Sequence, residues 1–340
     1  MDIFNLNIFG IDIRVSSGTD FASENLKKDF AFYLDAKETP GVINIKIHRE
    51  GPPYQCVPLL EASLYNLGSI CYRDKGVHYV DYSGKGLMIY NFDTETANIY
   101  SEDENLLYEK ARLAILSRIG ELADRRHIHR VHAAGFTKDG QATMCLLPME
   151  AGKTTLTLNV LKRDTDIKLL SDDVCFIDSR GQIYPFPLRI GVRSRDFIKE
   201  IPEAYITRIN RITYGEKFLI DLTYFRGRIA EKNKLSNILI GKRVFQENSE
   251  IRKISKLKCF IPFIQSGVFG LGLPQIAELF LRSGLLEVIE KIRIIFSRSL
   301  LFLSVIYKAD AYEFRIGRDL DVSTAVLASF INEKIDKKCS

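Results

Sequence analysis

The sequence predicts an α/β fold with a mixed central sheet, preceded by a small β-rich domain. Three observations carry this. The first hundred residues are short apolar or aromatic runs separated by turn residues. Composition changes at Ser101-Glu102-Asp103-Glu104, an acidic helix start followed by an apolar stripe at helical spacing. From Ile128 the pattern becomes strand, turn, strand, loop, helix, strand, the order of a sheet with helices packed on it. The domain junction is expected near Ser101, giving residues 1–100 and 101–340.

Taken in order, Ile8-Phe9-Gly10-Ile11-Asp12-Ile13 reads as one strand and Val42 to Ile47 as another. Val77 to Tyr82, Leu87 to Tyr90 and Ala97 to Tyr100 follow, divided by Asp74-Lys75-Gly76 and Ser83-Gly84-Lys85-Gly86. Together they predict an antiparallel meander. Leu107, Ala111, Ile115, Ile119 and Leu122 mark one face of a helix. Val131 to Phe136 is a strand, Lys138-Asp139-Gly140 a turn, and Ala142 to Leu147 a buried strand. Lys153 to Lys162 is helix-forming. Ile167 to Leu170 begins a strand that runs on through Val174 to Ile177, and Asp178-Ser179-Arg180-Gly181 turns the chain. Pro274 to Lys291 reads as helix, and Leu300 to Tyr307 pairs as a strand with Ala311 to Ile316. Val322 to Ile335 is a helix with Val322, Val326 and Phe330 on its apolar stripe.

Composition narrows the function classes. The 340 residues are 46% hydrophobic and 27% charged, which supplies a sizeable core and argues against disorder. A formal charge of +5 is too mild to demand nucleic acid. The cations are uneven, however: 13 Lys/Arg against 6 Asp/Glu lie between Arg189 and Arg243. That segment is either a solvated surface or a face for phosphates or an acidic peptide. Six scattered cysteines, none in a C-x-x-C pair, need no disulfide framework. Met1-Asp2-Ile3-Phe4-Asn5 shows no signal-peptide pattern, and the apolar run Leu300 to Tyr307 is too short to span a bilayer. A cytoplasmic protein with no membrane or nucleic-acid partner is expected.

The chemistry gathers after the buried strand. Ala151-Gly152-Lys153-Thr154-Thr155 joins that strand to a helix, the context of a phosphate-binding loop. Backbone N–H groups at a helix start hold anionic oxygens, a lysine just inside reaches terminal phosphates, and the next hydroxyl can meet Mg²⁺. Leu147 stands where the usual pattern has its first glycine, and Glu150 places a carboxylate in the loop. A helix start that merely reads G-K-T-T is the bland alternative. Asp172 and Asp173 follow Lys153 by 19 and 20 residues at a strand end, where one can face a metal and the other an incoming hydroxyl. A solvated aspartate pair is the alternative there. His127, His129 and His132 form H-x-H-x-x-H. A zinc site is disfavoured, because on a strand His132 faces away from the other two and Arg125, Arg126 and Arg130 flank them.

Val131-His132-Ala133-Ala134-Gly135, Asp139-Gly140, Ala151-Gly152-Lys153-Thr154-Thr155-Leu156 and Leu170-Ser171-Asp172-Asp173 together resemble the HPr kinase/phosphorylase family, whose wider fold family includes ATP-dependent phosphoenolpyruvate carboxykinases. Tyr184 to Arg193 looks like the corresponding run of HPr-kinase-like proteins encoded with modified-peptide biosynthesis genes. The resemblance covers about Ile128 to Arg193. It implies ATP and Mg²⁺ as cofactors and phosphorylation of a serine or threonine hydroxyl on a peptide or protein. Carried over, Lys153 grips phosphate with Ala151, Gly152, Thr154 and Thr155 around it, and Thr154 helps hold the metal. Asp172 is then the general base and Asp173 the metal partner, with those two roles open to exchange, and His132 lies near the transferred phosphate. The family's later Glu-x-Arg-Gly-x-Gly signature is absent, which favours a kinase over a phosphorylase. Arg189, Arg193 and Lys217 are further candidates for contacting nucleotide. A nucleotide-binding or precursor-peptide-binding partner without catalysis is the competing reading, and a small-molecule kinase a third.

Overall fold

The structure is a computed structural model describing residues 1–36, 42–66, 68–148, 151–211, 215–268 and 285–336. In chain order its elements are β1 (Asp2–Ile8), β2 (Ile11–Ser17), α1 (Asp20–Asp29), β3 (Leu34–Asp35), β4 (Ile43–His48), β5 (Ala62–Asn66), β6 (Ser69–Asp74), β7 (Val77–Asp81), β8 (Gly86–Asn91), β9 (Thr96–Ser101) and α2 (Glu104–Arg125). There follow β10 (Ile128–His132), β11 (Ala134–Lys138), β12 (Gln141–Leu146), α3 (Lys153–Arg163), β13 (Lys168–Ser171), β14 (Val174–Asp178), β15 (Gln182–Tyr184), β16 (Ile190–Val192), β17 (Ile206–Arg211) and β18 (Gly215–Ile220). The last are β19 (Asn233–Arg243), β20 (Glu250–Lys253), α4 (Phe260–Phe263), α5 (Leu285–Lys308), β21 (Asp310–Ile316) and α6 (Leu320–Asp336). The described residues divide into two units, one within 1–123, 208–217 and 285–287, the other within 124–207, 218–268 and 288–336.

In the first unit, Phe9 and Gly10 carry φ angles of 54° and 76°. That left-handed pair is a two-residue hairpin turn, so the run expected as one strand is instead the join of β1 and β2. Nine strands form one sheet in the order β3-β1-β2-β4-β9-β8-β7-β6-β5. The antiparallel meander is correct for β5 to β9, but β4 lies parallel to both β2 and β9. Helix α1 supplies a connection for the parallel step, and its mixed polarity concealed it. Alternation buries Ile11, Ile13 and Val15 of β2 with Ile43, Ile45 and Ile47 of β4. Asp103 caps α2 by accepting from the N–H groups of Asn105 and Leu106.

The second unit is built on a mixed sheet in the order β10-β14-β15-β19-β12-β11-β13, with β21 also on β19 and β20 on β21. Strands β12, β19 and β21 are mutually parallel, and β11–β12 and β14–β15 are hairpins. Period-two alternation feeds two cores. Ala142, Met144, Leu146, Ile238 and Ile240 face one side, with Leu301, Phe302, Val305 and Ile306 of α5. Cys145, Leu239, Phe314 and Ile316 face the other, with Leu156, Val160 and Leu161 of α3 and Leu327 and Ile331 of α6. Mixed α/β architecture is therefore observed.

Four local expectations are corrected. Leu300 to Tyr307 is not a strand but the end of α5; a short apolar run buries equally well either way. Of the helix expected over Pro274 to Lys291, residues 274–284 lie outside those described. Val131 to Phe136 is interrupted at Ala133, dividing β10 from β11. The strand expected from Ile167 to Ile177 breaks at Asp172-Asp173, because β13 pairs with β11 whereas β14 pairs with β10. On α6 the buried positions are Ser323, Thr324, Leu327, Ala328 and Ile331, while Val322 is exposed and Val326 and Phe330 are half-buried. Small hydroxyl residues there bury by bonding back to Asp319 and Leu320 carbonyls, which hydrophobicity alone misses. Among the described residues no helix is long and apolar enough to cross a membrane.

Candidate active site

Strand β12 delivers the chain to Leu147-Pro148, and Ala151 N–H donates to the Pro148 carbonyl at 3.2 Å. Met149 and Glu150 lie outside the described residues, and with them the expectation attached to Glu150. Gly152 precedes α3 with φ 88° and ψ 21°, a left-handed conformation. Gly152→Ala is expected to cost about 1–2 kcal/mol of stability from that angle, because an added Cβ would meet only Leu320 Cδ2, at an ordinary 3.6 Å. Urea unfolding of the two proteins measures it. The N-cap residue of α3 is Gly152, which has no side chain to cap it, and the first-turn N–H groups mark the positive end of the helix dipole. At the other end Arg228 donates to the carbonyls of Leu161, Asp164 and Ile167, anchoring the helix.

The first turn of α3, the end of β10 and the β13–β14 break meet. Lys153, only 8% exposed, places Nζ 2.8 Å from Asp173 Oδ1 and 2.9 Å from His132 Nε2. His132 Nδ1 is 3.6 Å from the same Asp173 oxygen. Thr154 donates to Asp172 Oδ2 at 3.0 Å. The pair Asp172-Asp173 is placed by the Ala133 N–H, which donates to the Asp173 carbonyl, and by Ser171 Oγ, which accepts from Val174 N–H. The bend sends the carboxylates different ways: Asp172 is partly buried beside Thr154, whereas the Asp173 side chain is 52% exposed. Lys153, His132, Asp173, Thr154 and Asp172 are thus brought together. Thr155 is not with them; it lines a cavity of ≈ 620 Å³ with Asn159, Lys162, Asp319 and Thr324. Ala151 is buried in the core. Arg189 is buried and Arg193 exposed, flanking β16, and Lys217 belongs to the first unit.

Electrostatics distinguish the members. Burial, then the Lys153 charge, draws the His132 imidazole down to about 4, with Asp173 opposing. Histidine is therefore neutral at pH 7, and an unfolded chain binds a proton there first. Its contribution is complete above the unfolded value near 6.5 and is lost as pH falls towards 4. Stability should fall by up to about 1.4 kcal/mol per pH unit across that window, and His132→Gln should flatten the slope in denaturant titrations at pH 7 and 5. Asp172 behaves oppositely: burial and the Asp173 charge raise its carboxyl.

One residue of the site, Thr157, went unnoticed in the sequence. Thr157 lies one turn after Thr154; its Oγ1 and Asp172 Oδ1 are both buried, and its hydroxyl, with that of Thr154, works against the rise of the Asp172 carboxyl. The Lys153-x-x-x-Thr157 spacing was the available signal. Cys175, buried beside the site, has its thiol pushed up to about 12 chiefly by burial, so it is not a nucleophile at neutral pH. His127 and His129 face elsewhere, and among the described residues no three His, Cys, Asp or Glu are disposed to hold a metal. Thr154, Asp172 and Thr157 nevertheless offer only oxygen. That suits Mg²⁺, which takes one or two carboxylates and fills its shell with water and phosphate.

No known family model and no curated protein matches this sequence. Among solved structures the chain is similar to the HPr(Ser) kinase/phosphatase from Coxiella burnetii, with a TM-score of 0.30 and 10% identity over 62% of this chain and 99% of that one. That likeness is too slight to bear on activity or substrate.

Proposed function

We propose that the second unit binds ATP with Mg²⁺ at the start of α3 and phosphorylates a serine or threonine hydroxyl on a peptide or protein. The observation that carries this is the convergence of Lys153, His132 and Asp173 within 3.6 Å, beside Thr154–Asp172, at a helix start opened by Gly152. Bound ATP would supply the phosphoryl group, and Mg²⁺ would offset charge on its β and γ oxygens. Thr154 and Asp172 are the pair suited to hold the ion. Lys153 turns from Asp173 to the phosphate oxygens, and neutral His132 offers a hydrogen bond without adding charge. Asp173, exposed and released by Lys153, takes the proton of the incoming hydroxyl. This assignment uses the exchanged aspartate roles, because Asp172 is already engaged with Thr154 and Asp173 faces outward.

The β-rich first unit and the basic run from Arg189 to Arg243 are the proposed acceptor-binding surfaces, with neither membrane nor nucleic acid required. One observation favours a binding protein without turnover: the Lys153–Asp173 ion pair neutralises the very cation that phosphate needs. Incubation with γ-labelled ATP and Mg²⁺ separates the two. Release of labelled phosphate to water, or transfer to serine-containing acceptor peptides but not their alanine versions, is the expected result. Nucleotide binding with neither release nor transfer would favour the binding protein.

A further inference from the structure

The second unit contains another set of reactive side chains, unused by the phosphate chemistry although His129 shares β10 with His132. Asp124 lies at the end of α2, His129 in β10 and Ser297 in the middle of α5. His129 is fully buried; its Nδ1 stands 2.8 Å from Asp124 Oδ1 and its Nε2 stands 2.9 Å from Ser297 Oγ. Arg298 donates to both Asp124 oxygens, at 3.1 and 2.5 Å. Against its burial, Arg298 and the His129 contact hold the Asp124 carboxyl down to about 2. Asp124 is therefore an acceptor, so His129 Nδ1 carries the proton and Nε2 presents its lone pair to the Ser297 hydroxyl.

The hydroxyl is also reachable. Ser297, His129 and His127 line a cavity of ≈ 730 Å³ whose other walls include Ile292, Phe296 and Leu300, with Arg293 among them. His127 Nδ1 lies 3.1 Å from the same Ser297 oxygen and sits at φ 58°, a strained angle for a non-glycine residue. With Nε2 of His129 accepting from Ser297, His127 Nδ1 is placed as a donor to that oxygen. It can turn to an oxygen that gains charge beside it.

We infer that Asp124, His129 and Ser297 form a second catalytic site, hydrolysing a carboxylic ester with an apolar acyl group. Ser297 Oγ attacks the carbonyl carbon while its proton passes to His129 Nε2. The carbon–alkoxy bond then breaks, and the leaving alkoxide takes that proton and departs as the alcohol. Water next attacks the acyl-serine, giving one proton to His129 Nε2. The carboxylic acid leaves, and the proton returns to Ser297 Oγ. Asp124 remains ionised throughout, orienting the imidazole. Ile292, Phe296 and Leu300 set the preference for an apolar acyl chain, and a cationic acyl group would meet Arg293 and lose its hydration there.

The full chain is tested with p-nitrophenyl butyrate and with a fluorophosphonate probe, the labelled residue being located by mass spectrometry. The expected result is turnover above the buffer rate, label on Ser297, and a loss of about 10³-fold or more in Ser297→Ala. Ser299→Ala, which removes a hydroxyl that bonds back to the Ile295 carbonyl, should hydrolyse at the native rate. The inference is overturned if folded native protein takes no label on Ser297, or if Ser297→Ala retains native turnover; the three side chains are then only a buried polar network. Labelling of native protein decides the matter even where Ser297→Ala does not fold.

Discussion

Lys153→Ala is expected to reduce nucleotide-dependent turnover by about 10²–10³-fold, the cost of removing one preorganised charge from a transferring group. The same change has a second consequence that does not depend on turnover. Lys153 is one of the two influences that draw the His132 imidazole down to about 4. Without it the imidazole should titrate higher, towards its ordinary range. An NMR titration of the His132 ring in native and Lys153→Ala protein reads this directly. Loss of the Lys153–Asp173 pair should cost little stability by itself, no more than about 1 kcal/mol, because the aspartate is half exposed to water. A large loss of activity with small loss of stability is therefore the expected signature.

Asp172→Asn should separate stability from function in the opposite direction. Burial and the Asp173 charge raise the Asp172 carboxyl, so ionising it in the folded chain is costly. The folded state holds a proton where the unfolded state has released it, in a window that opens above 3.8. Stability from this group is greatest at low pH and falls as pH rises through the window. The neutral isostere escapes that fall, so its melting temperature at pH 7 should exceed the native one. Activity should drop by about 10²-fold or more, with a raised Mg²⁺ requirement, because the oxygen paired with Thr154 is lost. Asp173→Asn should lose activity with the Mg²⁺ requirement unchanged, since its part is to take a proton. Thermal melts and Mg²⁺ titrations of turnover measure both.

Much of this arrangement was legible in the chain. The hairpin at Asp139-Gly140 announces itself by turn chemistry, and so does the one at Asp178 to Gly181, where Asp178 accepts from the Arg180 and Gln182 N–H groups. The buried strand and α3 follow from apolar runs of different length. The division of β13 from β14 was not legible, because Leu169-Leu170 and Val174-Cys175 are equally apolar and only their sheet partners differ. Helix α5 misread for a related reason: Leu300 to Tyr307 is apolar on every side, so its period is hidden. That error also concealed Ser297, which meets His129 across 168 positions of sequence. Of the site itself, residue types and order could be read, but not the directions of the side chains. The pairing of Lys153 with Asp173 and of Thr154 with Asp172 depends on the bend between the two aspartates, which no local pattern records.

The central claim is that Lys153 marks a triphosphate site, and calorimetric titration of the full chain with ATP in the presence of Mg²⁺ tests it most directly. Saturable binding of one nucleotide, weakened without Mg²⁺ and abolished in Lys153→Ala, is the predicted result. Absence of binding to the native chain, or equal binding by Lys153→Ala, would contradict it.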